Sequence, residues 1–274
     1  MTRHSLQVFD AEARVGAVEY ESLDEQFAFT YDPTWRARAN SYSISPHISM
    51  HGESPASNTV KRFLENLLPE GRALDIVATT HQVSKNNIYG LIRQLGRETA
   101  GALAFLPEDG TPELQATTRR EITRDELRQR INDRANLPFA VWDDRIRMSI
   151  AGYQDKLAVF LDDQRTYLVE GALATTHILK PEPTDARLTM LVANEHFCMR
   201  LAQRLGLDSA PVSILRLPEP VLVVKRFDRA RELDQVRRLH MIDACQALNL
   251  PVSYKYERNF GSGNFAQANH VRLS

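Results

Sequence analysis

Apolar and polar positions alternate through the first fifty residues, in LQVFD, RVGAVEY and FAFTY, the two-residue period of half-buried strands. At SPASNTVKRFLENLLPEG the period changes. Val60, Phe63, Leu64, Leu67 and Leu68 recur at steps of three and four, one face of a helix, with Ser57 or Asn58 placed to cap its start and Pro69 and Gly71 to mark its end. A second helix is predicted over about 73–80. A third follows Ser84, with Ile88, Leu91, Ile92 and Leu95 as its buried face and Gly96 as its stop. GALAFLPEDG reads as a strand and a turn. Residues 1–110 therefore form a small α+β unit.

Residues 111–145 are polar and charged, a connecting segment with one short helix, TRDELRQRI, that has Thr123 as N-cap. From Arg147 the β pattern returns in RMSIAG, KLAVFL, TYLVEG and THILKP. A long helix is predicted over about 186–205, stopped by Gly206, and then come VSILRL and VLVVKRF. That order implies an antiparallel sheet with one helix packed on it, a second unit over residues 146–260, and an α+β fold class for the chain. Residues 261–274 are polar without periodicity, an atypical tail.

Composition narrows the function classes. Lys and Arg number 34 against 35 Asp and Glu, so there is no global basic field of the kind that drives non-specific nucleic-acid binding. The two cysteines, Cys198 and Cys245, are too few for a disulfide framework or a cysteine zinc site. MTRHSLQVFD lacks an apolar signal core, and no apolar run approaches the ~18 residues of a membrane span. The expected location is cytoplasmic, away from membranes.

Three features carry chemistry. On the long helix, Leu188, Leu191, Cys198, Ala202 and Leu205 make an apolar stripe, and its spacing puts Glu195 on the same face. A carboxylate inside a buried stripe needs a cation. The preceding strand offers Lys180. A strand lysine paired with a glutamate on the following helix is how protein kinases hold the α- and β-phosphates of ATP. Alone, Glu195 reads equally as a surface residue on a wide stripe. In AGYQDK, Ala151 and Gly152 are small enough for backbone N–H groups to approach an anion; alone, the segment reads as a hairpin turn. VLVVKRFDR leaves an apolar strand through Lys225 and Arg226 to Phe227, a layout suited to an adenine hinge, or to nothing more than a strand end with a solvated basic tip. His177 and His196 read as packing or surface residues, and no His/Asp/Glu spacing makes a closed metal site.

In this order, RMSIAGYQDKLAVF, THILKP, ANEHFCMRLAQRLGL, VVKRFDR and HMIDACQALNLPVSYKYE resemble the HipA family of bacterial toxin kinases, and FLENLLPEG and IRQLGRETAGALAF resemble its N-terminal subdomain. The resemblance covers nearly residues 5–260. It implies a kinase-like ATP-binding lobe behind a HipA-type subdomain. It matches Ala151, Gly152, Tyr153, Gln154, Asp155 and Lys156 to the ATP-phosphate loop, Lys180 to the nucleotide-binding lysine, and Lys225, Arg226 and Phe227 to the hinge that meets adenine. Ser149 matches a serine that such kinases autophosphorylate. A phosphate there would add about −1.5 to −2 charge beside a site meant for ATP phosphates, which suits an off-switch. The implied activity is phosphotransfer from MgATP to serine or threonine of a protein, aminoacyl-tRNA synthetases among the targets, with growth arrest as the result. The implied partner is a small helix-turn-helix antitoxin, so that DNA is met only indirectly.

The sequence departs from the family where catalysis is concerned. A motif resembling D-G-H-x-x-N and a later metal-binding Asp, which supply base and Mg²⁺ ligands, do not occur, and Asp228 and Asp243 match other family positions. No catalytic and no metal-ligating residue is therefore assigned. The expectation is a chain truncated before the helical catalytic lobe, with its last residues off the family's pattern, and with little or no kinase turnover. The competing reading is a non-catalytic module that engages an antitoxin or a partner kinase chain. Direct DNA recognition by the helix-turn-helix-like residues 72–97 is disfavoured, because Arg72, Lys85, Arg93 and Arg97 are offset by Glu70, Asp75 and Glu98.

Overall fold

A computed structural model describes residues 3–110, 112, 117–143, 145–147, 154–163, 165–171, 173–185, 188–232 and 235–255. The chain opens with β1 (Arg3–Asp10), β2 (Ala13–Glu21) and β3 (Gln26–Tyr31), followed by a one-turn helix α1 (Pro33–Arg36). Three helices come next, α2 (Ser57–Glu65), α3 (Gly71–Thr80) and α4 (Ile88–Leu95), and then β4 (Leu103–Pro107). The strands form one antiparallel sheet in the order β3-β2-β1-β4. Leu6, Val8, Val15, Val18, Phe27 and Phe29 point from it into a core completed by Val60, Phe63, Leu64, Leu91 and Ile92, the helix faces read from the sequence. Each such buried side chain contributes about 1.5–3 kcal/mol of transfer free energy.

The caps differ from the reading. α2 is capped at Ala56 without a side-chain bond, because the Ser57 hydroxyl instead accepts from the Phe27 amide at 2.8 Å and ties the helix to β3. Gly71, at φ +55°, opens α3 as well as following α2. α4 is capped by Asn87, whose Oδ1 accepts from the Gly90 amide at 2.8 Å.

The second unit holds β5 (Thr118–Ile122), α5 (Arg124–Asn132), β6 (Val141–Trp142), β7 (Arg145–Ile146), β8 (Leu157–Asp162), β9 (Arg165–Glu170), β10 (His177–Pro181), α6 (Leu191–Arg204), β11 (Val212–Arg216) and β12 (Pro220–Lys225). Its six-stranded antiparallel sheet runs β11-β12-β10-β8-β9-β5. The strand-helix-strand order and the α+β class match the sequence reading. Segment 111–145 is more than a connection. β5 forms the sheet edge, and Ile122, Leu127, Ile131, Phe139 and Trp142 pack into the same core as Leu157, Val159, Leu179 and Val221. β5 escaped notice because four of its five residues are exposed, so it carries no alternation. Thr123 does cap α5, accepting from the Glu126 amide at 3.2 Å.

The long helix is corrected in length and facing. α6 starts at Leu191, after Met190 in a left-handed conformation, not near residue 186. Of the expected stripe, Leu188, Cys198 and Leu205 are exposed. The face on the sheet is Val192 and Met199, packed with Ile178, Val212, Leu222 and Val224. This helix carries apolar residues on more than one side, so periodicity alone does not select the side that meets the sheet.

Past β12, an unforeseen hairpin of β13 (Arg229–Glu232) and β14 (Gln235–Arg238) leads to α7 (Ala244–Ala247) and a 3₁₀ turn at Val252–Lys255. This stretch returns to the first unit. Gln246 Nε2 donates to the Phe63 carbonyl at 3.0 Å, Asn66 Nδ2 to the Leu250 carbonyl at 3.0 Å, and Lys255 Nζ lies 3.4 Å from Glu70 Oε1. The expected tail over 261–274 lies outside the described residues.

Candidate functional site

The site is built on β10. Along this strand Leu179 turns into the core shared with α5, while Ile178 lies under α6. Alternation puts Lys180 on the side of Ile178. Glu195 sits on α6 three residues after Val192 and four before Met199, hence on the sheet-facing side. Lys180 Nζ donates to Glu195 Oε1 at 2.5 Å, with the two side chains 21% and 26% exposed. The pair is thus held in place yet open to solvent on one side.

The same neighbourhood fixes the helix start. Glu182, two residues past Lys180, accepts from the Leu191 and Val192 amides at 3.0 and 3.1 Å, one carboxylate oxygen to each. It satisfies two otherwise unpaired N–H groups and places negative charge at the positive end of the helix. Strand and helix are therefore joined both at Glu182 and at Lys180–Glu195. The sequence reading missed Glu182; its available signal was an acidic residue just beyond the strand and ahead of an uncapped helix.

Of the phosphate-loop residues, Gln154, Asp155 and Lys156 are described, whereas Ser149, Ala151, Gly152 and Tyr153 lie outside the described residues. Gln154 Nε2 donates to the Pro181 carbonyl at 3.2 Å, so the loop's end abuts the residue after Lys180. Lys156 is only 5% exposed. Burial pushes its ammonium down to about 8, and the Lys180 charge adds to the shift while Glu70 and Glu195 oppose it. Burial likewise pushes the Asp155 carboxyl up, against Arg72, Arg134 and Lys156. The Lys180 charge is therefore felt at Lys156, in the same neighbourhood as the Glu195 carboxylate.

The expected hinge residues part company. Phe227 is 67% exposed and Lys225 is also exposed. The amides of Lys225 and Arg226 are committed to the Pro211 and Thr176 carbonyls, each at 2.9 Å. The Arg226 side chain is buried; its Nε and Nη2 grip Asp228 at 2.9 and 2.7 Å, and it faces Glu98 of the first unit, with Nη1 3.7 Å from that carboxylate. The structure thus gathers Gln154, Lys156, Lys180 and Glu195, leaves the Phe227 ring open at the strand exit, and turns the Arg226 guanidinium elsewhere. His177, whose Nδ1 is 2.8 Å from Thr176 Oγ1, is pushed down to about 4 by burial and by Lys225. Asp228 is engaged by arginines, and Asp243 caps α7 and pairs with Lys255 at 2.9 Å. Among the described residues no three His, Cys, Asp or Glu side chains converge as a metal site. Nor, among them, is any helix long and apolar enough to cross a membrane.

Two family models match in chain order, the HipA N-terminal domain over residues 6–106 and the HipA-like C-terminal domain over residues 148–272. The chain belongs to the HipA family. The C-terminal match runs into the stretch where the sequence reading saw the family's pattern stop. A serine/threonine-protein kinase toxin HipA of Shewanella oneidensis is 38% identical over 262 residues, covering 94% of this chain and 58% of that protein. A putative kinase of Sinorhizobium fredii is 35% identical over 242 residues, covering 85% of this chain and 56% of that protein. Among solved structures, the Shewanella oneidensis HipA, HipB and operator DNA complex matches with a TM-score of 0.80 at 38% identity, over 94% of this chain and 59% of that one. The chain therefore spans somewhat over half the length of the relatives it matches.

Proposed function

We propose that this chain is the nucleotide-holding part of a HipA-type toxin kinase, which transfers phosphate from MgATP to serine or threonine of a protein and so arrests growth. The observation that carries the proposal is the Lys180–Glu195 pair, which fixes an ammonium at the sheet surface beside Lys156 and the end of the 151–156 loop. In this reading Lys180 meets the nucleotide phosphates and Glu195 orients it. Lys156 and the loop amides supply further positive potential, and Phe227 offers an apolar surface to adenine. Ser149 is the proposed autophosphorylation site. Phosphate and metal chemistry need a base and Mg²⁺ ligands that none of the described side chains is assigned to supply, so the reading for the chain by itself is nucleotide binding with little turnover.

A small helix-turn-helix antitoxin is the proposed partner, supported by the structural likeness to a HipA held with HipB and operator DNA. DNA would then be met through that partner, and a protein substrate such as an aminoacyl-tRNA synthetase would be acted on in the cytoplasm. The same likeness supports a second reading, a non-catalytic module that engages the antitoxin or a partner kinase chain. Calorimetric titration of the chain with MgATP tests the first. Saturable binding that vanishes in Lys180→Ala is expected, and binding indifferent to Lys180 would sink it. Co-purification with an antitoxin in the absence of any nucleotide binding would favour the second.

A further inference from the structure

Around Arg226 lies a second set of charges that the nucleotide reading does not use. Arg226 Nε and Nη2 both donate to Asp228, and Nη1 donates to Thr175 Oγ1 at 2.9 Å. Arg229 Nη1 donates to the same Asp228 carboxylate at 2.7 Å and to the Gly101 carbonyl at 3.0 Å. The third arginine, Arg238, donates to the carbonyls of Arg97, Thr99, Gly101 and Leu103 at 2.9–3.2 Å. Further contacts cross between the two units in both directions. The Gly101 amide donates to Asp228 Oδ2 at 2.8 Å, and Thr175 donates to Glu98 Oε1 from its amide at 3.2 Å and its hydroxyl at 2.5 Å.

Residues 97–102 lie in the turn between α4 and β4 of the first unit and Leu103 opens β4, whereas Arg226, Asp228 and Arg229 continue directly from β12, the strand that leads to the proposed adenine hinge. The Arg226 and Arg229 side chains are 2% and 1% exposed. The three arginines face the Asp228 and Glu98 carboxylates, with Asp10 also acting on Arg238, and their further donors go to the turn's carbonyls. Gly101 makes the close approach possible. At φ +78° it sits in the left-handed region, and a β-carbon there would lie 3.0 Å from both the amide nitrogen and the carbonyl oxygen of Met241.

We infer that this cluster clamps the hinge to the N-terminal unit, so that Glu98 and Asp228 are positioning residues for the adenine end of the nucleotide site. The inference rests on the nucleotide reading above. Each unit alone would leave buried arginines or bare carbonyls, which makes docking of the N-terminal unit a condition for a formed hinge. The hinge then holds its backbone without help from a ligand, and Phe227 lies between two anchored neighbours, Arg226 and Asp228.

The test uses the full chain with Glu98→Gln, which keeps shape and the Thr175 contact but removes the charge, and Asp228→Asn. Hydrogen exchange of residues 225–229 and the affinities for ATP and for inorganic triphosphate are measured in each. Faster hinge exchange with ATP weakened about fivefold or more, and triphosphate binding unchanged, is the expected result. Unchanged hinge exchange overturns the clamp. Faster exchange with ATP affinity unchanged, or with ATP and triphosphate weakened in parallel, overturns the positioning role. Should the parent chain bind no ATP, the nucleotide reading fails and the clamp is judged by exchange alone. Should Asp228→Asn not fold, Glu98→Gln decides.

Discussion

Two ion networks lie at the two ends of the same sheet region and differ in how completely protein surrounds them. Around Asp228, both carboxylate oxygens meet arginine donors, and the arginines spend further donors on backbone carbonyls. At Lys180 one lysine meets one glutamate at 2.5 Å, with a fifth to a quarter of each side chain open. With the Arg226, Arg229 and Asp228 side chains at 2%, 1% and 6% exposed, this network gives a ligand no access and serves the fold. An open pair, placed by packing but only partly covered, keeps donors for something that arrives. By this comparison Arg226 moves from the ATP-contacting set into the scaffold, though sequence alone grouped it with Lys225 and Phe227.

The largest effect belongs to the closed network. Arg226→Ala leaves Asp228 buried with only Arg229 for charge and removes the bridge to Thr175, and a loss of about 3–5 kcal/mol is expected, read by urea denaturation of the full chain. Lys225→Ala, one residue away and exposed, should stay within about 0.5 kcal/mol. Equal losses at the two positions would erase the distinction between buried and solvated basic residues at this strand exit.

Titration sharpens the comparison by sign. Burial works to raise Asp228 and Glu98, yet Arg226 and Arg229 hold both below the usual carboxylate range. Their contribution is present above the unfolded pKa and is lost as pH falls through the lowered folded one. His177 behaves differently. It is held neutral, with its folded pKa at about 4 against 6.5, so the unfolded chain binds the extra proton between those values. Stability should decline as pH falls from about 6.5 towards 4 and then level off for this group. His177→Gln should make that decline shallower in thermal melts, the remainder belonging to His240, also pushed down by burial, and to the more acidic carboxylate loss. A decline that persists unchanged in the variant would assign it elsewhere.

How much of this was legible in the sequence depends on what sets each feature. The first unit's helices were readable because Val60, Phe63, Leu64, Leu91 and Ile92 each lie on a single apolar face, so local spacing and burial agree. The Lys180–Glu195 pair was found from a stripe that turned out to face solvent at Leu188 and Leu205. Glu195 was nonetheless on the right side, since the packed Val192 and Met199 flank it at helical spacing. Spacing gave the period of α6 and left its rotation to tertiary contacts. The Arg226 cluster was not legible, because its partners, Glu98, Thr99 and Gly101, lie more than 120 residues earlier. β5 was hidden for a different reason, being an edge strand with one buried residue, Ile122, whose exposed arginines bond to partners elsewhere in the chain, Arg119 to Asp162 and Arg120 to Glu126.

A smaller effect is expected at Thr123. Its hydroxyl satisfies one amide at the start of α5, and Thr123→Ala should cost about 1 kcal/mol, visible as a modest shift of the denaturation midpoint. Because α5 packs Leu127 and Ile131 against the lobe's core, the loss should appear in the cooperative transition and not as local fraying. A separate, earlier transition would instead make α5 an independently melting appendage.

The smallest stability effect should fall at the residue assigned the most function. Lys180 and Glu195 are partly solvated, and such pairs contribute about 0–1 kcal/mol once side-chain entropy and screening are counted. Lys180→Ala also removes a charge that depresses Lys156, so relief of that repulsion offsets part of the lost pair. The net change should be near zero in denaturation, with the Lys156 pKa rising from about 8 when followed by pH-dependent NMR of its labelled side chain. A destabilisation as large as that of Arg226→Ala would mean that the pair is a second structural lock. The contrast between an open, ligand-ready charge and a closed, fold-bearing one would then fail at the position where it matters most.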